Sequence, residues 1–170
     1  MSFELELVPT PTDEAVKLVN ELEAELSGDF SARHRHGYSI ARIFEPNILL
    51  FIASVDGNPV GCGGIAFEEG FAEVKRMYVR PEYRGRKIGQ KILARLEEEA
   101  CARGVTRLML ETGDVLRPAI RLYENAGFSR CGVFGAYAQM PPAAIERSVF
   151  MQKQIDSGRA VRPTERDGLV

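Results

Sequence analysis

The chain lacks what a membrane protein needs. In 170 residues no apolar run approaches the roughly 20 residues required to span a bilayer. The N-terminus, with Glu4, Glu6 and Pro9, has no apolar core of the kind a signal peptide carries. Net charge is scarce too: the formal value is −2, which argues against a general nucleic-acid binder. Cysteine is sparse. Cys62, Cys101 and Cys131 are far apart and odd in number, which suits free thiols in a reducing cytoplasm better than a disulfide framework. No reactive-thiol signature surrounds them, so a catalytic cysteine is the weaker reading. Histidine is limited to His34 and His36, among Arg33 and Arg35. His-x-His is a metal-ligand spacing, but no carboxylate or thiolate stands close by in sequence. A solvated, positively charged loop is expected there, and no metal. Internal repeats are absent as well.

What is present reads as one domain over residues 1–156, followed by a polar tail, 157–170. Such a tail would be ordered only by contact with something else, and a neighbouring subunit would make the protein a homodimer. Phe3 to Val8 alternates as a strand. A helix is expected from Thr12 or Asp13, with Ala15, Val19, Leu22 and Leu26 inward and Gly28 closing it. Residues 29–47 carry no readable period. Ile48 to Val55 is a buried strand, Asp56-Gly57-Asn58-Pro59 a hairpin turn, and Val60 to Phe67 and Phe71 to Val79 complete an antiparallel meander. Gly61, Gly63 and Gly64 predict a bulge or a close backbone approach. A helix from about Arg86 to Arg103 stops at Gly104 and leads to a strand, Arg107 to Glu111, which a crossover helix makes parallel to its neighbour. A helix over 116–126 and strands over 128–134 and 147–153 follow. The sum is a mixed α/β sheet flanked by helices.

The chain is organised around Val79 to Gln90. A strand ends, Pro81 turns the chain, and a basic loop with two glycines opens a long helix. Unpaired N–H groups at a helix N-terminus attract anions. Gly85 and Gly89 allow close backbone approach, and Arg84, Arg86 and Lys87 add full charges. The plain alternative is a solvated basic turn.

Arg84-Gly85-Arg86-Lys87-Ile88-Gly89 resembles the Arg/Gln-x-x-Gly-x-Gly/Ala signature of the GNAT N-acetyltransferase superfamily. Arg76 to Tyr83 is similar to the strand that leads into that loop, and Ala119 to Phe128 to the family's later helix and its exit. One position departs: Lys87 stands where the motif has its middle glycine. The resemblance implies a mostly antiparallel central sheet of about seven strands flanked by helices. It implies acetyl-coenzyme A as cosubstrate and direct attack by a primary amine in a ternary complex. The pyrophosphate would lie on Arg84, Gly85, Arg86, Lys87, Ile88, Gly89 and Gln90. The pantetheine arm would pair with Met77, Tyr78 and Val79, with Ala119 and Leu122 alongside. The Met77 N–H would stabilise the acetyl oxyanion. Residues 29–47 would form the acceptor wall.

The attacking amine must lose a proton, because an ammonium has no lone pair. Glu73 is the carboxylate best placed by sequence; its alternative is a solvent-facing strand residue. Glu111 is the next candidate. Tyr123 matches the position that protonates the departing thiolate in relatives; its alternative is helix-face packing. A coenzyme-binding sensor without catalysis and an oligonucleotide-binding loop are the competing functions. The acceptor stays open among small molecules and peptides: an amino acid, a polyamine, a drug amine or a protein N-terminus.

Overall fold

Alternation and apolar runs place the strands, and tertiary contacts decide where they end. The computed structural model describes residues 1–156; the polar tail 157–170, with the expected subunit contact, lies outside the described residues. In chain order the elements are β1 (Phe3–Leu7), α1 (Asp13–Asp29), α2 (Ile40–Ile43), β2 (Ile48–Val55), β3 (Asn58–Glu68) and β4 (Phe71–Val79). Then come α3 (Ile88–Ala102), β5 (Arg107–Gly113), α4 (Arg117–Asn125), β6 (Ser129–Arg130), α5 (Pro142–Ile145) and β7 (Ser148–Gln154). They form a 7-stranded sheet of order β1-β2-β3-β4-β5-β7-β6. The β4–β5 pair is parallel and the other pairings described are antiparallel.

The two faces are covered differently. The apolar stripe of α3, with Ile92 and Leu96 fully buried, packs with α4 against Val74, Leu108 and Leu110. On the opposite face, Leu18 and Val19 of α1 and Ile43 of α2 cover Leu50, Ile52, Cys62 and Tyr78. A smaller cluster of Met109, Phe134, Tyr137 and Phe150 continues that second face beyond α1. The 2-residue loop at Asp56 and Gly57 has φ of 48° and 78°, the left-handed turn that matches strand twist.

Two expectations change. Gly28 does not close α1. The helix runs on to Asp29, and Phe30 leaves it in extended conformation with its ring 5% exposed. An aromatic anchor ends the helix, so no left-handed cap is needed. Residues 128–134 do not form a full strand; only Ser129–Arg130 pairs with β7. Phe134 and Tyr137 turn inward through a 3₁₀ segment, Gly135–Gln139, to fill the smaller cluster. The glycines of β3 do sit at a bulge, but the extra residue belongs to β4. Cys62 pairs with Tyr78 and Gly64 with Lys75, so Gly63 faces both Arg76 and Met77.

The parallel pair positions the site. β4 and β5 are in register at Ala72/Leu108, Glu73/Met109 and Val74/Leu110, and there the pairing stops. Beyond it β5 continues to pair with β7 alone, and the two strands part. The remaining edge of β4, from Lys75 to Val79, is left open toward β5.

Candidate active site

A cavity of about 120 Å³ occupies the point where β4 and β5 part. β4 contributes Met77, β5 contributes Glu111 and Thr112, and α4 contributes Ala119 and Tyr123. The segment after α1 closes the far wall through Arg35 and His36.

Of the expected site residues, Met77, Ala119 and Tyr123 line this cavity. Tyr78 and Val79 continue the open edge of β4, with the Tyr78 ring turned into the α1 cluster. Met77 follows Arg76, whose φ of 55° puts a non-glycine residue in the left-handed region. Such a conformation costs about 1–2 kcal/mol and persists only where the surroundings hold it. Here the Arg76 side chain is anchored to Glu23 and to the Tyr38 carbonyl, where Nε donates at 2.8 Å. Gly37 makes room, since a Cβ there would collide with that guanidinium.

The two candidate carboxylates have separate environments. Glu73 is neither in the cavity wall nor facing solvent: it is 4% exposed. Its Oε1 accepts from the Tyr137 hydroxyl at 2.5 Å and from Lys75 Nζ at 3.1 Å. Lys75 also donates to Tyr137 Oη at 2.7 Å and to the His36 carbonyl at 3.1 Å. The group clamps β4 to the 3₁₀ segment and to the segment after α1. Glu111 is in the cavity wall. Its Oε1 accepts from Ser148 Oγ at 2.7 Å. Burial pushes this carboxyl up to about 7, with the Ser148 hydrogen bond and the Lys75 charge opposing the rise. A carboxyl that titrates near neutrality can take a proton there and release it again.

Tyr123 is 6% exposed, its ring edge-on to Phe128 with centroids 5.9 Å apart. Burial, and then the Glu111 charge, push its hydroxyl above the ordinary tyrosine range. The hydroxyl therefore keeps its proton at neutral pH, as a donor must.

The other end of the open β4 edge is the basic loop. α3 begins at Ile88 with no side-chain cap and no acidic residue in its first turn. Its first N–H groups are free for an anion. Lys87, the motif's departure, takes the left-handed conformation itself, with φ of 61° and ψ of 17°. It is exposed, as are Gly85, Arg86 and Gln90. Gly89 lies against Leu122: a Cβ would meet its methyl at 3.3 Å. Arg84 bonds Glu25 of α1 at 2.7 Å and the Val79 carbonyl at 2.8 Å, and Arg86 donates to the Glu82 carbonyl at 3.4 Å. An uncapped helix start, beside an open strand edge that ends at a cavity, fits a long molecule with a pyrophosphate in its middle and a reactive end.

Because Lys87 occupies a glycine conformation, Lys87→Gly should be tolerated. Thermal melting should show no loss of stability, as the relieved backbone strain offsets the added chain entropy. Coenzyme A affinity should fall only modestly, and less at high salt. A large drop in melting temperature would show that the Lys87 side chain packs.

The expected solvated loop at His34 and His36 is instead fastened down. His36 Nε2 bonds the Ala144 carbonyl at 2.8 Å, and His34 Nε2 lies 3.1 Å from both the Ala143 carbonyl and Glu146. Burial lowers the His36 pKa, so that ring is neutral at pH 7. Among the described residues, no group of three His, Cys, Asp or Glu is arranged to hold a metal ion. Sequence reasoning missed Arg35 and Arg76 as wall residues and Ser148 as the partner of Glu111. The Arg-His-Arg-His run at 33–36 was the available signal.

These features define an acetyltransferase architecture. The profile of the Acetyltransferase (GNAT) family matches residues 17–128, and the chain belongs to that family. It is 39% identical over 145 residues to an IAA acetyltransferase of Azospirillum brasilense, covering 84% of this chain and 92% of that protein. It is 32% identical over 126 residues to an aminoalkylphosphonate N-acetyltransferase of Salmonella typhimurium, covering 70% of this chain and 79% of that one. A solved structure from Klebsiella pneumoniae, provisionally an acyl-CoA N-acyltransferase, superposes with a TM-score of 0.72 at 32% identity, covering 89% and 97% of the two chains. The protein is an N-acetyltransferase, and acetyl-coenzyme A is its cosubstrate. No helix among the described residues is long and apolar enough to cross a membrane.

Proposed function

We propose that the chain transfers the acetyl group directly to the amine of a small molecule, with Glu111 as the general base and Tyr123 as the general acid. The observation that carries this reading is that both line one cavity where β4 and β5 part. Acetyl-coenzyme A supplies an activated acyl group and a thiolate leaving group. The residues that hold it are the N–H groups from Arg84 to Gln90, the open edge of Met77-Tyr78-Val79, and Ala119 and Leu122 of α4. Glu111 takes the proton that an ammonium must lose before it can attack. The Met77 N–H, beside the bulge, donates to the acetyl oxygen as negative charge develops there. Tyr123 gives its proton to the departing sulfur. Glu73 was the carboxylate favoured from sequence, but its contacts with Lys75 and Tyr137 and its place outside the cavity wall favour a structural role.

A cavity of about 120 Å³ suits a small acceptor, and relatives named for small-molecule acetylation fit the same reading. The three cysteines, free in the structure, fit a cytoplasmic location. The homodimer is an expectation from sequence alone. Thiol release from acetyl-coenzyme A across a panel of amines tests the proposal. Release with small amines and not with peptide N-termini is the expected result; the reverse preference would move the acceptor to proteins.

A further inference from the structure

β5 carries Glu111 at a place where only one neighbouring strand can steady it. Up to Leu110 the strand is flanked by β4 on one side and β7 on the other; from Glu111 onward β7 alone is left. The register there sets Glu111 opposite Phe150 and Gly113 opposite Ser148. Residues two apart in a strand share a face. Glu111 and Ser148 are therefore diagonal neighbours on one face of the sheet, close enough for their side chains to meet.

The Ser148 hydroxyl donates to Glu111 Oε1 at 2.7 Å. Among the described residues it is the one side chain that donates to this carboxylate. Oε2 takes no described hydrogen bond, yet the one buried side-chain nitrogen or oxygen left without a partner among the described residues is Arg35 Nε. Oε2 is therefore not sealed in: it opens to the cavity that Glu111 lines. One oxygen is tied to β7 and the other is uncommitted on the cavity side.

We propose that Ser148 is a positioning residue for acetyl transfer: its hydroxyl holds Glu111 by Oε1 and leaves Oε2 as the oxygen that takes the amine's proton. This rests on the reading of Glu111 as the base. In that step one N–H bond of the ammonium breaks and the proton goes to Oε2. The nitrogen keeps the electron pair, the carboxylate becomes the neutral acid, and Ser148 gives up no proton. Without the hydroxyl the carboxylate would turn freely and would have to be ordered in every turnover. A donor to a carboxylate also favours its ionised form, so the same bond maintains more of the working base near neutral pH.

The other charged and titratable groups of that cavity are Lys75 and Arg76 of β4, His34, Arg35 and His36 of the segment after α1, and Tyr123 of α4. Glu73 acts on the carboxyl from beside Lys75. On β7, Arg147 is paired with Asp114 at 2.9 Å. All of them remain in a Ser148→Ala variant, so the difference between the two proteins reads the hydroxyl. The backbone ladder from Arg107 to Gly113 holds β5 to β7 without it.

The test uses the whole chain with saturating acetyl-coenzyme A and, as acceptor, the best small amine of the thiol-release panel. Ser148→Ala should move the acidic limb of the kcat profile up by about one pH unit. The plateau above the limb should fall by about 3- to 10-fold, the effect of an unanchored base. Ser148→Thr keeps a hydroxyl there and should bring the limb back toward its wild-type position. Infrared titration of the carboxyl band follows the same group without any acceptor. The band that disappears in Glu111→Gln should titrate about one unit higher in Ser148→Ala than in wild type. A serine with a merely structural role would lower the melting temperature, or the rate at every pH alike, and leave limb and band in place. That result overturns the inference while Glu111 stands as the base, which the Glu111→Gln profile decides separately. A Glu111→Gln limb that stays where it is in wild type removes the base reading and the inference with it.

Discussion

Glu111→Gln should lower kcat/KM by about 10²-fold or more at pH 7 and move the acidic limb of the pH–rate profile to higher pH. Wild-type activity should rise as pH passes about 7, the value to which burial raises this carboxyl. The base works only after it has lost its proton, so the ionised form is the active one. Glutamine keeps the oxygen that Ser148 bonds and removes the proton acceptor. Reaction then depends on amine deprotonated by solvent, and the limb moves alkaline. A Glu111→Gln profile that keeps its limb near pH 7 would assign the base elsewhere.

The same substitution should act on stability with the opposite sign. A carboxyl whose folded pKa lies above its ordinary 4.5 binds its proton more tightly in the native state. Its favourable contribution is complete below pH about 4.5 and is lost as pH rises through about 7. The wild-type protein thus carries a buried charge at pH 8 that the variant lacks. Glu111→Gln should be the more stable of the two there, by something on the order of 1–3 kcal/mol. The difference should shrink as the pH is lowered. Thermal melts at pH 4.5 and pH 8 measure it. Loss of activity together with a gain in stability is what a functional, energetically unfavourable group produces.

Tyr123→Phe makes a different demand on the same assay. The ring stays, with its edge-on contact to Phe128, so melting and coenzyme A affinity should stay near wild type. The turnover number should fall about 10²-fold. The loss should not be complete, because a thiol with a pKa near 8.5 departs reasonably well without help. Single-turnover measurement is required, since slow product release would mask the chemical step. Wild-type single-turnover rates at every pH would reduce Tyr123 to a packing residue.

The parts legible in the sequence are those whose cause is local. β2, β3 and β4 announce themselves by apolar runs bounded by Asp56-Gly57 and Gly70. α3 does so by its stripe of Ile88, Ile92, Leu93 and Leu96. The basic loop was legible because a helix start with Gly85 and Gly89 has few other uses. Sequence favoured Glu73 over Glu111, the reverse of the order proposed here. The difference between them arises where the β4–β5 register lapses after Val74 and Leu110, and no local pattern encodes that. Residues 29–47 had no period because long-range bonds hold them. His36 reaches Ala144, Lys75 reaches the His36 carbonyl and Arg76 reaches that of Tyr38. The Gly28 expectation failed because an aromatic anchor two residues later ended α1 by another means.

The kink at Arg76 ties two duties to one residue. Its left-handed backbone sets the direction of the next N–H, that of Met77, while its side chain is gripped by Glu23 and Tyr38 of the wall. A change in that wall is therefore transmitted along the arginine to the strand whose Met77 N–H we propose polarises the acetyl group. Selectivity and catalytic power are then not independently adjustable in this lineage. Variants selected for new acceptors through substitutions at 35–38 should shift the turnover number together with KM. Restoring the lost rate should call for a second change at Glu23, on α1.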